Sequence, residues 1–392
     1  MAFPRSSALV KILTLAGLAG LLAGCGNSST PTPTPITPKT TFYNVAQTVT
    51  WTGVPPAAPA SFSFDISFVD PTVHQYYVAD RTTSGVSIID TQTMKYVSTA
   101  GQGQFTGFKP NTAAGPATNA GPNGIVPVGN GLVFAGDGDS TLKVVNVNSG
   151  ALVATVPAVN PVTTGTVATC GTPTTGTANQ RVDEMALDPT DNVVLAINDA
   201  SCPPFGTFFS ATAPYAAKGT IAFTTANGGA EQPTWDPTQK LFIMALPSTV
   251  ENPGGEIDLI DPNTHLITKK IAEPSNCQAN GTALGQNETL FLGCSSPGIL
   301  ATINAVTGAT INTINTVGGC DEAWYNPTAN RFYAACSNNK IPGPVVAVTD
   351  GNGALISTFA TSTGAHSVAV DPTNDNVYVP TQKLGVQIYS NH

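Results

Sequence analysis

The chain has 392 residues, 41% of them hydrophobic and only 10% charged, with Lys+Arg 15 against Asp+Glu 24 and a formal net charge of −9. This length suits one large all-β domain or two ordinary ones, and the apolar fraction is enough to fill a core. The acidic balance argues against nucleic acid as a partner, because phosphate binding needs a basic footprint that is missing here.

Residues 1–24 read as a secretory leader. Arg5 and Lys11 form a basic n-region, "ILTLAGLAGLLAG" is an apolar stretch too short to span a membrane, and no stop-transfer pattern follows. The stretch ends in Leu22-Ala23-Gly24-Cys25, which resembles the lipobox of bacterial lipoproteins, where the cysteine is lipidated and becomes residue one. The resemblance implies Cys25 as lipidation site and an extracytoplasmic chain that meets the membrane only through its lipid. Gly26 in place of an Asp favours the outer membrane, whether the chain faces the periplasm or the exterior. Loss of Arg5 and Lys11 leaves 13 basic against 24 acidic residues, a net of −11. Residues 25–40, the cysteine and "GNSSTPTPTPITPKT", are a Pro/Thr/Ser tether that alternate prolines keep extended.

From residue 41 the chain repeats. An Asx-Pro-Thr turn recurs at Asp70, Asp188, Asp236, Asn326 and Asp371. The Asx side chain caps the turn and Pro pre-sets φ, so each copy ends one strand and starts another. The first unit spells out four strands, "FDISFVDPT", "QYYVAD", "GVSIID" and "KYVSTA", and further units begin near residues 121, 181, 230, 279, 320 and 365. Four short strands every 40 to 60 residues predict an all-β, seven-bladed β-propeller over 41–392, its blades four-stranded and antiparallel. In the third unit "GTFFSATAPYAAKGTIAFTT" has to supply two outer strands. The seventh unit has only three, and "TFYNVAQTVTW", residues 41–51, is expected to complete its sheet and close the ring. The units, exemplified by "DPTNDNVYV", resemble the YVTN-type repeat of YncE-like periplasmic and cell-surface propellers. That resemblance implies a fold and no single activity.

The residues just before the innermost strands are Asp65, Asn123, Asp183, Glu231, Asn280, Asp321 and His366. They predict one polar ring at a mouth of the central channel, with Glu184 and Glu322 directly behind it. Carboxylates so close either hold protons or take a divalent cation. The metal candidates are Asp183, Glu184, Glu231, Asn280, Asp321 and Glu322, an oxygen set suited to Ca²⁺ or Mg²⁺; His366 would admit Mn²⁺ or Zn²⁺. A solvated mouth without ligand, or one that takes a polar organic molecule, is the alternative these residues leave open.

The long segments 101–120, 159–180 and 246–255 should decorate the same face. Repeat-equivalent positions pair Cys277 with Cys294 and Cys320 with Cys336, leaving Cys170 with Cys202, all as structural staples. No nucleophile elbow, zinc-protease, P-loop or haem motif occurs. Two functions are in play. One is a monomeric binding scaffold for a protein, glycan or small ligand. The other is a metal-dependent hydrolase or lactonase, similar to gluconolactonase-type propellers, with Glu184, Glu322 or His366 as catalytic candidates.

Overall fold

The computed structural model describes residues 43–55, 61–109, 119–162, 180–296 and 298–391. Cys25, the leader, the tether and Cys170 lie outside the described residues. No described helix is long and apolar enough to cross a membrane.

The architecture is all-β, with seven four-stranded antiparallel sheets arranged as blades. Blade 1 runs Phe64–Asp70, Gln75–Asp80, Gly85–Asp90 and Lys95–Ala100 from channel to rim. The innermost strands of blades 2 to 6 are Ile125–Gly129, Met185–Asp188, Pro233–Asp236, Ala279–Leu284 and Ala323–Asn326. Among the described residues helix is confined to 3₁₀ turns such as Pro274–Asn276. The outer strands of blade 3 are Phe205–Ser210 and Ala217–Ala222, inside the stretch expected to supply them.

Blade 7 closes as the strand count predicted. Its chain-terminal strands Ala369–Val370, Val377–Thr381 and Gly385–Asn391 are joined by Tyr43–Val49 at the rim, in register from Tyr43 opposite Asn391 to Val49 opposite Val386. This pairing leaves no gap in the ring at which a free sheet edge would invite association. Behind it Tyr43 packs against Phe359 with 4.9 Å between ring centroids.

The second strands are buried beyond their first residue, and Val193–Asn198 along its whole length, whereas an outer strand such as Leu152–Pro157 alternates partly buried and exposed. Blade faces pack on blade faces, so interior strands read as continuous apolar runs and only the outermost meets water. Tyr76 and Tyr378, for example, stack with centroids 4.9 Å apart between blades 1 and 7.

The Asx-Pro-Thr turns share one construction. Asp188, Asp236 and Asp371 each accept a backbone N–H two residues on at 2.8 Å, Asp70 one at 2.9 Å and Asn326 one at 3.0 Å. Each turn then ends in a left-handed residue, His74, Asn192, Lys240, Asn330 or Asp375, before the next strand begins.

Candidate functional site

The polar positions before the innermost strands meet around the channel, and polar contacts link neighbouring blades. His366 Nε2 lies 3.3 Å from Asp65 Oδ1. Arg81 pairs with Asp65 and donates through Nε to Asn123 Oδ1 at 3.1 Å. Asn123 Nδ2 donates to the Val182 carbonyl at 3.0 Å, beside Asp183. Carboxylate oxygens of Glu184, Glu231 and Asp321 all lie within 4.8 Å of one another. The Gln232 N–H donates to the Asn280 carbonyl at 3.0 Å, and Asn280 Nδ2 to Asp321 Oδ1 at 3.3 Å. The Glu322 N–H reaches the His366 carbonyl at 3.2 Å.

Two of these positions differ from expectation. Asp65 and Asn280 lie inside their strands, Phe64–Asp70 and Ala279–Leu284, at breaks in the pairing register between Phe64 and Ser67 and between Ala279 and Gly281. A β-bulge inserts an unpaired residue and re-aims its side chain, so here the bulges hold a polar group at the mouth without ending the strand.

Behind the ring, Gly124 and Gly281 lack side chains for steric reasons. A Cβ on Gly124 would lie 2.0 Å from the Asp183 carbonyl oxygen, and one on Gly281 2.2 Å from that of Asp321. Gln232 holds the equivalent position in blade 4. Its Oε1 accepts from the backbone N–H of Thr282 at 2.8 Å and of Ala323 at 3.1 Å, tying blades 4, 5 and 6 together.

Arginines that the one-position-per-blade reading missed set the electrostatics. Arg181 Nε donates to Asp183 Oδ2 at 2.8 Å, and its Nη2 reaches Asp199 Oδ2 at 3.0 Å. Arg81 and Asp199 occupy the same repeat position, the first residue after a second strand. In a chain this poor in basic residues, an arginine at that position was the available signal.

Burial pushes the Asp65 carboxyl up, but Arg81 and a hydrogen bond to His366 more than offset it and hold it well below the usual range. Asp183 is raised by burial despite Arg181. Burial also raises Glu231 and Asp321; repulsion from Asp199 and Asp321 adds to the first, and His366 opposes the second. Glu184 is raised by burial and then by Glu322 and the acids of the mouth. Glu322 is raised by burial, against hydrogen bonds from Ser367 Oγ and from the Val368 N–H at 3.0 Å. Burial lowers His366, but its bond to Asp65 and the nearby Asp321 raise it overall.

Of the six metal candidates the structure gathers Glu184, Glu231 and Asp321. Asp183 is taken by Arg181, Glu322 by Ser367 and Val368, and Asn280 by Asp321. Glu184 is 6% exposed and its Oε2 has no hydrogen-bond partner. His366 is not in this group: Nδ1 lies 2.8 Å from the Gly364 carbonyl, Nε2 faces Asp65, and the ring stacks on Phe64 at 4.8 Å. A polar cleft of about 300 Å³ opens beside the triad, lined by Asp199, Ser201, Asn227 and Glu231 among others.

The disulfides Cys277–Cys294 and Cys320–Cys336 form as paired from the repeat, each from an innermost strand's approach to the end of the neighbouring strand. The Cys170–Cys202 pairing involves Cys170, outside the described residues.

Fold and mouth together define a seven-bladed β-propeller with an acidic, arginine-braced channel opening. Among solved structures the chain is similar to one in "Crystal Structure of Mitotic Checkpoint Complex", with a TM-score of 0.61 at 11% identity over 86% of this chain and 92% of that one. No family model and no curated protein matches the chain. Since 1543 solved chains match the fold, it selects no activity, and function rests on the site.

Proposed function

We propose that the protein is a lipid-anchored, extracytoplasmic binding scaffold of the YVTN type that presents its channel mouth to a protein, glycan or small ligand, with one divalent cation held by Glu184, Glu231 and Asp321. The triad carries this reading. Three carboxylates from three blades lie within 4.8 Å of one another, and the buried one has an oxygen without a protein partner. Ca²⁺ takes carboxylate oxygens at about 2.3–2.6 Å, so two oxygens on opposite sides of one ion stand at most about 5 Å apart, and the observed spacing fits a shared ion. A hard, all-oxygen set favours Ca²⁺, Mg²⁺ or Mn²⁺ over Zn²⁺. The adjoining polar cleft supports a ligand that bridges to the ion. The Leu22-Ala23-Gly24-Cys25 motif and the Pro/Thr tether support the anchor. A hydrolase or lactonase would need a free base beside the ion. His366 has both nitrogens engaged, which favours binding over turnover.

The test is metal analysis of soluble protein beginning after Cys25, then melting curves with and without chelator. Ca²⁺ should raise the melting temperature of the native protein, and Asp321→Asn should remove the shift, because a ligand specific to the folded state stabilises it. Protein that copurifies with no cation and melts identically with Ca²⁺, Mg²⁺, Mn²⁺ or Zn²⁺ would sink the reading. For the anchor, Cys25→Ser should move the protein from the membrane fraction to the soluble one.

A further inference from the structure

The channel has a second opening at the far ends of the innermost strands. There, next to the Asx-Pro-Thr turns, it forms a cavity of about 470 Å³ lined in part by Phe68, Trp235, Trp324, Tyr325, Glu184 and Glu322. Small-molecule sites commonly enclose about 300–1,000 Å³. The aromatic walls are held in place from behind or from the side. Phe68 meets Trp324 edge-on at 4.8 Å, Trp235 packs on Phe242 at 4.9 Å, and Tyr325 on Phe332 at 4.9 Å. Both tryptophans and Tyr325 remain partly exposed, so their surfaces are not used up by the core.

The charge in this cavity has one sign. Glu184 and Glu322 are the only ionisable acids or bases other than Tyr325 among the described residues that line it. Glu322 is satisfied on one side by Ser367 and Val368, but Glu184 Oε2 is buried with no donor. A buried carboxylate without a partner is costly, and a cation or a proton relieves that cost. Aromatic faces attract cations and also bury a flat apolar body. An anion would be repelled, and a bare metal ion would leave the apolar walls unfilled.

We propose that this turn-face cavity binds a small organic cation, an ammonium group on a flat apolar body, with Glu184 as its counter-ion and Trp235, Trp324 and Tyr325 as its walls. The site is separate from the proposed cation site at the mouth in every wall residue and shares only Glu184 with it.

Isothermal titration of the full chain in chelator tests this with one ring system in three charge states: tryptamine, neutral 3-ethylindole and anionic indole-3-propionate. Tryptamine should bind at least about tenfold more tightly than 3-ethylindole, a difference of about 1.4 kcal/mol, and indole-3-propionate should not bind. Glu184→Gln should weaken tryptamine about tenfold while leaving 3-ethylindole unchanged. Trp324→Leu should weaken both indoles yet keep any Ca²⁺ melting shift, so loss of one site is distinguishable from loss of the other. Equal affinities across the three probes, no tryptamine binding, or indifference to Glu184→Gln would each overturn the proposal. The charge series on the unaltered chain decides it even where a tryptophan variant does not fold.

Discussion

Tyr43 in the closing strand and Tyr333 in blade 6 are 290 positions apart, yet their hydroxyls lie 3.0 Å from each other. The bond ties the closing strand of blade 7 to the second strand of blade 6 across a blade boundary. Tyr43→Phe removes this bond and a longer one from Arg331 Nη1 at 3.5 Å, and should cost about 1 kcal/mol. Tyr43→Ala also empties the space beside Phe359 and should cost about 3–5 kcal/mol. Urea unfolding of the two variants checks the order. Equal midpoints would mean that the closing strand contributes little.

Turn chemistry makes a second prediction. Asp236 Oδ1 accepts the N–H of Thr238 at 2.8 Å and of Gln239 at 3.0 Å, and Oδ2 the Gln239 amide at 2.7 Å. Asp236→Ala strips these acceptors from a buried position and should destabilise by about 1–3 kcal/mol, whereas Asp236→Asn keeps an oxygen in place and should cost less. Thermal unfolding of both variants measures the gap.

The acids of the channel make stability depend on pH in two directions. Glu184, Glu231 and Glu322 have folded values above their ordinary 4.5. Their contribution is fully present below about pH 4.5 and is lost as pH rises through the folded values. Asp65 has a folded value below its ordinary 3.8, so its contribution is present above that and is lost as pH falls through the folded value. In chelator, the melting temperature should therefore peak at mildly acidic pH and decline towards about pH 8. Glu184→Gln should flatten the alkaline decline and melt higher than the parent there. A parent that melts highest at about pH 8 would contradict the assignment.

Arg181 is the cation shared by Asp183 and Asp199. Arg181→Gln leaves two buried carboxylates without their shared cation and should cost about 3–5 kcal/mol, the usual penalty for breaking a buried pair. Adding Asp183→Asn should recover part of that loss. If the double variant is no more stable than the single one, the two side chains are not coupled.

The fold was legible because its rules are local. Asx-Pro-Thr turns and four apolar runs per unit specify blades, and the three-stranded seventh unit called for the segment at Tyr43–Val49. Ring positions followed from counting back from the turns. Arg81, Arg181 and Asp199 did not, because Arg181 sits two residues before the counted position and the other two follow the ends of second strands. The aromatic cavity was hidden for another reason. Trp235 and Trp324 alternate along short innermost strands as core residues do, and periodicity alone does not distinguish a channel wall from a packed interior. The bulges at Asp65 and Asn280 leave no sequence mark beyond the polar residue itself.

Glu184 lines the turn-face cavity and also stands with Glu231 and Asp321 at the mouth. One carboxyl thus borders both proposed sites. Linked equilibria are reciprocal, so an ion drawn to the mouth weakens an amine in the cavity by the same factor as the amine weakens the ion. The propeller would then behave as an exchanger, signalling occupancy from one face to the other without moving a strand.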